Sequence, residues 1–199
     1  MNKIADVTTK VDDVIRDNPW MDPEQIEHRM DKLARENMNA KAKRRKVIAI
    51  ANEITAALAP HAACKPGCSQ CCHMNTMIYE HEAIRLAEVS GRKMVRLPHR
   101  PLRQVYLDGN KFNNRPCPFL VDDKCSVYED RPLVCRTHHS LHHDASLCDM
   151  SISAHEQVRP LMYNPDLVEI PYRTISEAHS AREPSGNIWE YFPGDDVGA

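Results

Sequence analysis

Four cysteines in nine residues, Cys64-Lys-Pro-Gly-Cys68-Ser-Gln-Cys71-Cys72, constrain this chain more than any other feature. Inert core thiols scatter along a sequence and do not gather in this way. Short spacings let one loop wrap a metal, each turn bringing the next sulfur inward, and Pro66 and Gly67 supply the tight reversal. Cys117, Cys125, Cys135 and Cys148 follow at wider intervals, so all eight cysteines lie between 64 and 148. Neighbouring side chains as a rule diverge, so the adjacent Cys71 and Cys72 rarely serve one tetrahedral ion. The pair therefore reads as belonging to two metal positions, or as holding one thiolate that bridges two ions. Eight sulfurs divide into two sites of four, and soft thiolates suit zinc or iron–sulfur clusters rather than magnesium or calcium.

Other readings of the cysteines fit less well. Eight is an even count, as disulfides require. However, the opening MNKIADVTTKVDDVIRD lacks the basic-then-apolar order of a secretory leader, and 199 residues is long for a disulfide-stapled scaffold. Cys64-x3-Cys68-x2-Cys71 also has the spacing of the radical S-adenosylmethionine cluster loop. That loop needs a partial β/α barrel behind it, and here a helical pattern precedes the motif with no strand–helix alternation after it. No apolar run reaches the ~18 residues of a membrane span, so the chain is not expected to span a membrane. A formal net charge of −2 is not that of a polycation built for nucleic acid. Six glycines, with neither G-x-G-x-x-G nor G-x4-G-K-[ST], argue against a phosphate-binding loop.

The first sixty residues read as helix. Ile4, Val7, Val11 and Val14 or Ile15 recur at helical spacing, and Asn18-Pro19 ends that pattern. Asp22 caps a second helix, with Pro23 at its first position and Glu24 at the positive end of the dipole. An apolar stripe runs from Ile26 through Met30, Leu33, Ala40, Val47, Ala51 and Ile54 to Leu58, interrupted by Asn37 and Arg44. With no Gly or Pro between 24 and 59, the pattern predicts one helix of ~50 Å. Its seam packs on the chain's own helices or also forms a homo-oligomer. Five positive charges in Lys41–Lys46 read as a solvated helix face, since six helical residues encircle the axis; the competing reading is a patch for nucleic acid or an acidic partner. A further helix is expected at about 80–90, with Ala83, Ile84 and Ala87 inward, and another near 152–162. Residues 176–199, with one basic and five acidic side chains, read as a loosely held tail with one aromatic docking point at Ile188, Trp189, Tyr191 and Phe192.

Phe119-Leu-Val and Ser126-Val-Tyr128, separated by Asp122-Asp-Lys124, predict a short hairpin that brings Cys117 and Cys125 together. Tyr128 reads as core. The turn at Arg131-Pro132 delivers Cys135 and Arg136, with both arginines bracing the loop or offsetting thiolate charge. His138-His-Ser-Leu-His142-His143 follows. On a helix, 138/142 and 139/143 would each form an i,i+4 pair able to chelate an ion and complete an open site. The alternative is a pH-responsive surface loop. His73, His61 and His155 are weaker candidates.

Cys64-x3-Cys68-x2-Cys71-Cys72, Pro116-Cys117-Pro118-Phe119-Leu120, Cys125-x2-Tyr128, Arg131-Pro132-x2-Cys135-Arg136 and Cys148 together resemble the YkgJ family of cysteine-cluster proteins. That family is described as a zinc- or iron-chelating domain of the CxxCxxCC type. The resemblance covers roughly 64–150 and implies a cysteine-ligated metal in a small cytoplasmic domain. A related cysteine-cluster domain in flagellin lysine methylases keeps an iron–sulfur role open. The histidine tract is a departure from the family pattern.

The expected fold is mainly α with a small β-hairpin, a metal-organised cysteine-cluster domain preceded by N-terminal helices. It divides into residues 1–60, a cluster domain at 61–165 and an extension at 166–199. The candidate metal ligands are Cys64, Cys68, Cys71, Cys72, Cys117, Cys125, Cys135 and Cys148, with His138, His139, His142 and His143 as additional ligands. The expected cofactor is zinc or iron, as ions or as an iron–sulfur cluster. The leading function is a metal-binding protein with no catalysis of its own and a protein partner. The alternatives are an iron–sulfur or iron-dependent redox or transfer enzyme, and a zinc-stabilised nucleic-acid module.

Overall fold

The computed structural model describes residues 3–149, 162–178 and 182–194. In chain order its helices are α1 (Lys3–Asp17), α2 (Pro23–Arg35), α3 (Ala40–Leu58), α4 (Glu80–Ser90), α5 (Leu102–Gly109), α6 (Leu133–Thr137), α7 (Asp166–Glu177) and α8 (Ile188–Tyr191). Its strands are β1 (Met77–Tyr79), β2 (Leu120–Val121), β3 (Lys124–Cys125) and β4 (Ser185–Asn187). The fold is mainly helical, with helices ahead of the cysteines and two small antiparallel strand pairs, β1–β4 and β2–β3. Its described residues form two compact units that cut across the linear divisions at 60 and 165: unit 1 holds 3–65, 136–148 and 162–178, and unit 2 holds 66–135, 149 and 182–194.

Unit 1 is built on α1, α2, α3 and α7. Helix α1 ends where the Asn18 side chain and backbone N–H both donate to the Val14 carbonyl, at 3.1 and 2.8 Å. The Asp22 carboxylate accepts the Glu24 N–H at 2.9 Å, so α2 starts as its cap signal predicts. The single long helix expected over 24–59 is instead two. Glu36 is extended, and the Asn39 side chain caps α3 by accepting the Ala42 N–H at 2.9 Å. The break lets Ile26, Met30 and Leu33 of α2 and Val47, Ala51, Ile54 and Leu58 of α3 face one core. That core includes Leu167, Val168 and Tyr172 of α7, which packs on both helices. The seam is thus filled from within the chain, and residues 166–177 are core-forming rather than an extension. Arg44 is buried, while Lys43 donates to the Ala34 carbonyl and Lys46 pairs with Glu36. The basic run is accordingly dispersed around α3.

Unit 2 gathers Ile78, Ala83, Leu86, Phe119, Val127, Ile188, Tyr191 and Phe192 into one core. Strand β4 pairs with β1 in the register Met77↔Asn187. Residues 185–192 of the expected loose tail are therefore anchored: Tyr191 and Phe192 are 0% and 1% exposed, and Phe192 meets Phe119 edge-on at 4.8 Å. Asn187 accepts the Trp189 N–H, and Glu190 reaches back to the Asn187 N–H, making a reciprocal cap for α8. Helix α4 occupies the expected 80–90, with Ala83 and Leu86 buried and Ile84 only partly so. The helix expected near 152–162 and His155 lie outside the described residues.

Candidate metal centre

The predicted hairpin is present and tight. Leu120 pairs with Cys125 and Val121 with Lys124, around Asp122 and Asp123 at φ 48° and 56°. Two successive left-handed residues form the turn whose twist suits a two-residue hairpin, and Asp is among the side chains that tolerate it. The hairpin backs onto the apolar core, with Phe119 and Val127 buried and Cys117 and Cys125 packed against the cluster. Tyr128, expected in the core, is 56% exposed. The strand ends at Cys125, and Tyr128 starts a 3-10 turn, with its ring beneath the Arg131 guanidinium at 3.7 Å.

The cysteine loop is tied to this hairpin from two sides. The Cys117 N–H donates to the Cys72 carbonyl at 2.7 Å, and the Ser69 hydroxyl donates to Asp123 at 3.0 Å. A 3-10 turn over Gln70–His73 presents Cys71 and Cys72, while the His73 ring contacts the Ser69 carbonyl at 3.1 Å. Cys135 arrives by a third route. The buried Glu82 carboxylate accepts the Tyr79 N–H at 3.0 Å with one oxygen and the Leu133 N–H at 2.9 Å with the other. One side chain thereby caps α4 and seats the start of α6.

These constraints bring Cys71, Cys117, Cys125 and Cys135 into electrostatic range of one another, with Cys72 hydrogen-bonded to Cys71. A hydrogen bond with Cys72, then burial, pushes the Cys71 thiol far above its ordinary range. Burial, with repulsion from Cys125 and Cys71, pushes Cys117 up to about 11. Burial also raises Cys125, with Cys71 adding to it. Cys135 is raised well above the ordinary value by burial, then by Cys117, Cys71, Cys125 and Glu82. Arg131 works the other way on Cys71 and Cys125, as does Arg92 on Cys117. Arg92 donates to the Pro118 carbonyl and lies over the Phe119 ring. Neutral thiols crowded together resist losing protons one by one. A divalent cation removes that resistance, because it balances the thiolates and replaces their protons. The donor set therefore fits zinc or iron. Among the described residues, no three His, Cys, Asp or Glu side chains converge into a ready-made ligand set, so these thiols are neighbours rather than a closed polyhedron.

Cys68 lies in unit 2 with these five, whereas Cys64 and Cys148 lie in unit 1. The histidine tract also lies in unit 1 and is not helical. Helix α6 ends at Thr137, so the i,i+4 pairs expected at 138/142 and 139/143 do not form. His139 and His142 are buried, burial favours neutral His138, and His143 is exposed beside Asp144 at 2.6 Å. The segment is pinned in unit 1, where the Ala63 N–H donates to the Ser140 carbonyl and Lys10 to the Leu141 carbonyl, each at 2.8 Å. Arg136 bonds Asn52 at 2.6 Å, which makes it a brace of α3. Glu82 and Arg92 position the thiol-bearing segments through these hydrogen bonds, a role the sequence reading gave to neither. Glu82 had a signal: a glutamate three residues after a helix cap is half of a capping box.

Crowded thiols on a hairpin and a turn make a cysteine cluster whose donor chemistry suits zinc or iron. Residues 63–158 match the family model CxxCxxCC, described as "Putative zinc- or iron-chelating domain". The match spans all eight cysteines in just under half of the chain. No curated protein and no solved structure gives a significant match. Among the described residues, no helix is long and apolar enough to cross a membrane.

Proposed function

We propose that this protein holds one zinc or iron ion through Cys71, Cys117, Cys125 and Cys135, and that the metal builds a surface for a protein partner without running a reaction. The observation that supports this is the shared electrostatics of the four thiols: the charge of Cys71 acts on each of the other three. Four thiolates leave no open position for water or substrate, which is the arrangement of structural rather than catalytic sites. Their excess negative charge is offset by Arg131 and Arg92. The bound ion supplies a cross-link between the loop, the hairpin and α6, and hence folding energy for a small unit. Cys68 and Cys72 are the nearest reserve donors in sequence. Cys64, Cys148, His138, His139, His142 and His143 lie in unit 1 and are not part of this proposed site.

The test is metal content by mass spectrometry with a visible spectrum, on protein purified both with and without air. The expected result is about one zinc or iron per chain, no acid-labile sulfide, and loss of the metal in Cys71→Ser. Protein that carries neither metal under both conditions overturns the reading. Iron with acid-labile sulfide and a visible band replaces the single ion with a cluster and makes redox or transfer chemistry the leading question.

A further inference from the structure

Unit 2 contains an open cavity of about 490 Å³ lined by Lys111, Phe112, Arg115, Trp189, Glu190 and Pro193. No thiol lines it, and the metal reading makes no use of it. Two of its residues are cations, and both lie on aromatic rings. The Arg115 guanidinium carbon is 3.6 Å from the Trp189 ring centroid, and the Lys111 ammonium is 5.0 Å from that of Phe112. Neither cation is paired with a carboxylate among the described residues.

The carboxylate in the lining is already engaged. Glu190 accepts two N–H groups from Arg100, at 2.8 and 3.1 Å, and the Asn187 N–H at 2.9 Å. Arg100 also pairs with Asp108 at 2.8 Å, so one cation serves two carboxylates, and Lys111 and Arg115 leave the cavity net positive. A stacked guanidinium keeps its N–H edges in the plane of the stack, so the indole orients those donors without consuming them.

We propose that this cavity binds the phosphate monoester of a small molecule. A phosphate monoester carries about −1.5 to −2 charge at neutral pH, matching two unpaired cations, whereas a carboxylate balances one. Its oxygens suit the in-plane fork of Arg115, with Lys111 as the second charge. The volume lies within the range of roughly 300–1,000 Å³ typical of small-molecule sites.

The test is calorimetric titration of the full, metal-carrying chain at low salt with 5′-AMP, inorganic phosphate and adenosine. AMP is expected to bind saturably and adenosine not at all, with affinity falling as salt is raised. The double variant Lys111→Ala/Arg115→Ala, two exposed positions, is expected to bind at least about tenfold more weakly. Tighter binding of AMP than of inorganic phosphate assigns an organic monoester, and equal binding assigns the free ion to the same two cations. Should the double variant fold poorly, Trp20→Phe leaves Trp189 as the sole indole, and its emission must then shift on adding phosphate. Adenosine binding as well as AMP, a folded double variant unchanged in phosphate affinity, or no binding by either phosphate-bearing probe overturns the proposal.

Discussion

Among single residues, Glu82 does the most to bring Cys135 to the other thiols. Its two oxygens satisfy two backbone N–H groups, Tyr79 and Leu133, and the side chain is 8% exposed. Glu82→Ala leaves both donors without their acceptor and is expected to destabilise unit 2 by about 2–4 kcal/mol. Glu82→Gln, which keeps an acceptor oxygen, is expected to cost less than half of that. Urea unfolding followed by circular dichroism distinguishes the two. The thiols make a second prediction, with opposite signs for the two metal states. In metal-free protein folding raises the pKa values of Cys71, Cys117, Cys125 and Cys135. Their contribution is present below the ordinary value of 9.0 and lost as pH climbs towards the folded one, about 11 for Cys117. Metal binding must expel those same protons, so metal affinity rises with pH. Chelator competition at pH 6, 7 and 8, beside alkaline melts of the metal-free protein, checks both signs. A flat affinity profile would count against thiolate ligation.

At the level of elements, the hairpin and the helix break show how short polar residues decide geometry. Asp122 and Asp123 hold left-handed backbone at the turn. Asp123 is also tied to Ser69, which leaves Asp122 as the cleaner probe. Asp122→Gly is expected to stabilise by about 0.5 kcal/mol and Asp122→Val to destabilise by about 1 kcal/mol, as measured by thermal melts. Asn39 caps α3 from an exposed position, so Asn39→Ala is expected to cost about 1 kcal/mol without changing metal content. Both features involve residues whose side chains compete with regular backbone hydrogen bonding, and this is why periodicity alone carried the helix through 36–39. The histidine tract erred for the opposite reason. A pattern compatible with i,i+4 chelation says nothing about whether the backbone is helical, and here α6 stops at Thr137.

Over the whole molecule, each unit has its own apolar core: α2, α3 and α7 in unit 1, and the cluster from Ile78 to Phe192 in unit 2. Metal removal is therefore expected to loosen part of the chain rather than all of it. In hydrogen exchange, chelation should speed amides at 68–73, 117–125 and 133–135, and leave α2, α3 and α7 protected. Uniform loss of protection, or none, would contradict a metal confined to unit 2. Within 64–150, Ile78, Ala83 and Leu86 are buried with Ile188 and Tyr191 in an apolar core that needs no metal.

The sequence by itself determined the local features: the cysteine loop, the Asp122-Asp123 turn, the Asp22 cap and α4. Each depends on residues within a few positions of one another, so backbone preference and spacing suffice to specify it. Only the tertiary structure decided which thiols become neighbours, that the C-terminal segment is a strand partner of β1, and that the long apolar stripe folds back as two helices. Those outcomes depend on contacts between distant residues, such as Glu82 with Leu133 and Met77 with Asn187. Burial of shared apolar surface and satisfaction of buried N–H groups select such contacts, and neither leaves a mark in local spacing.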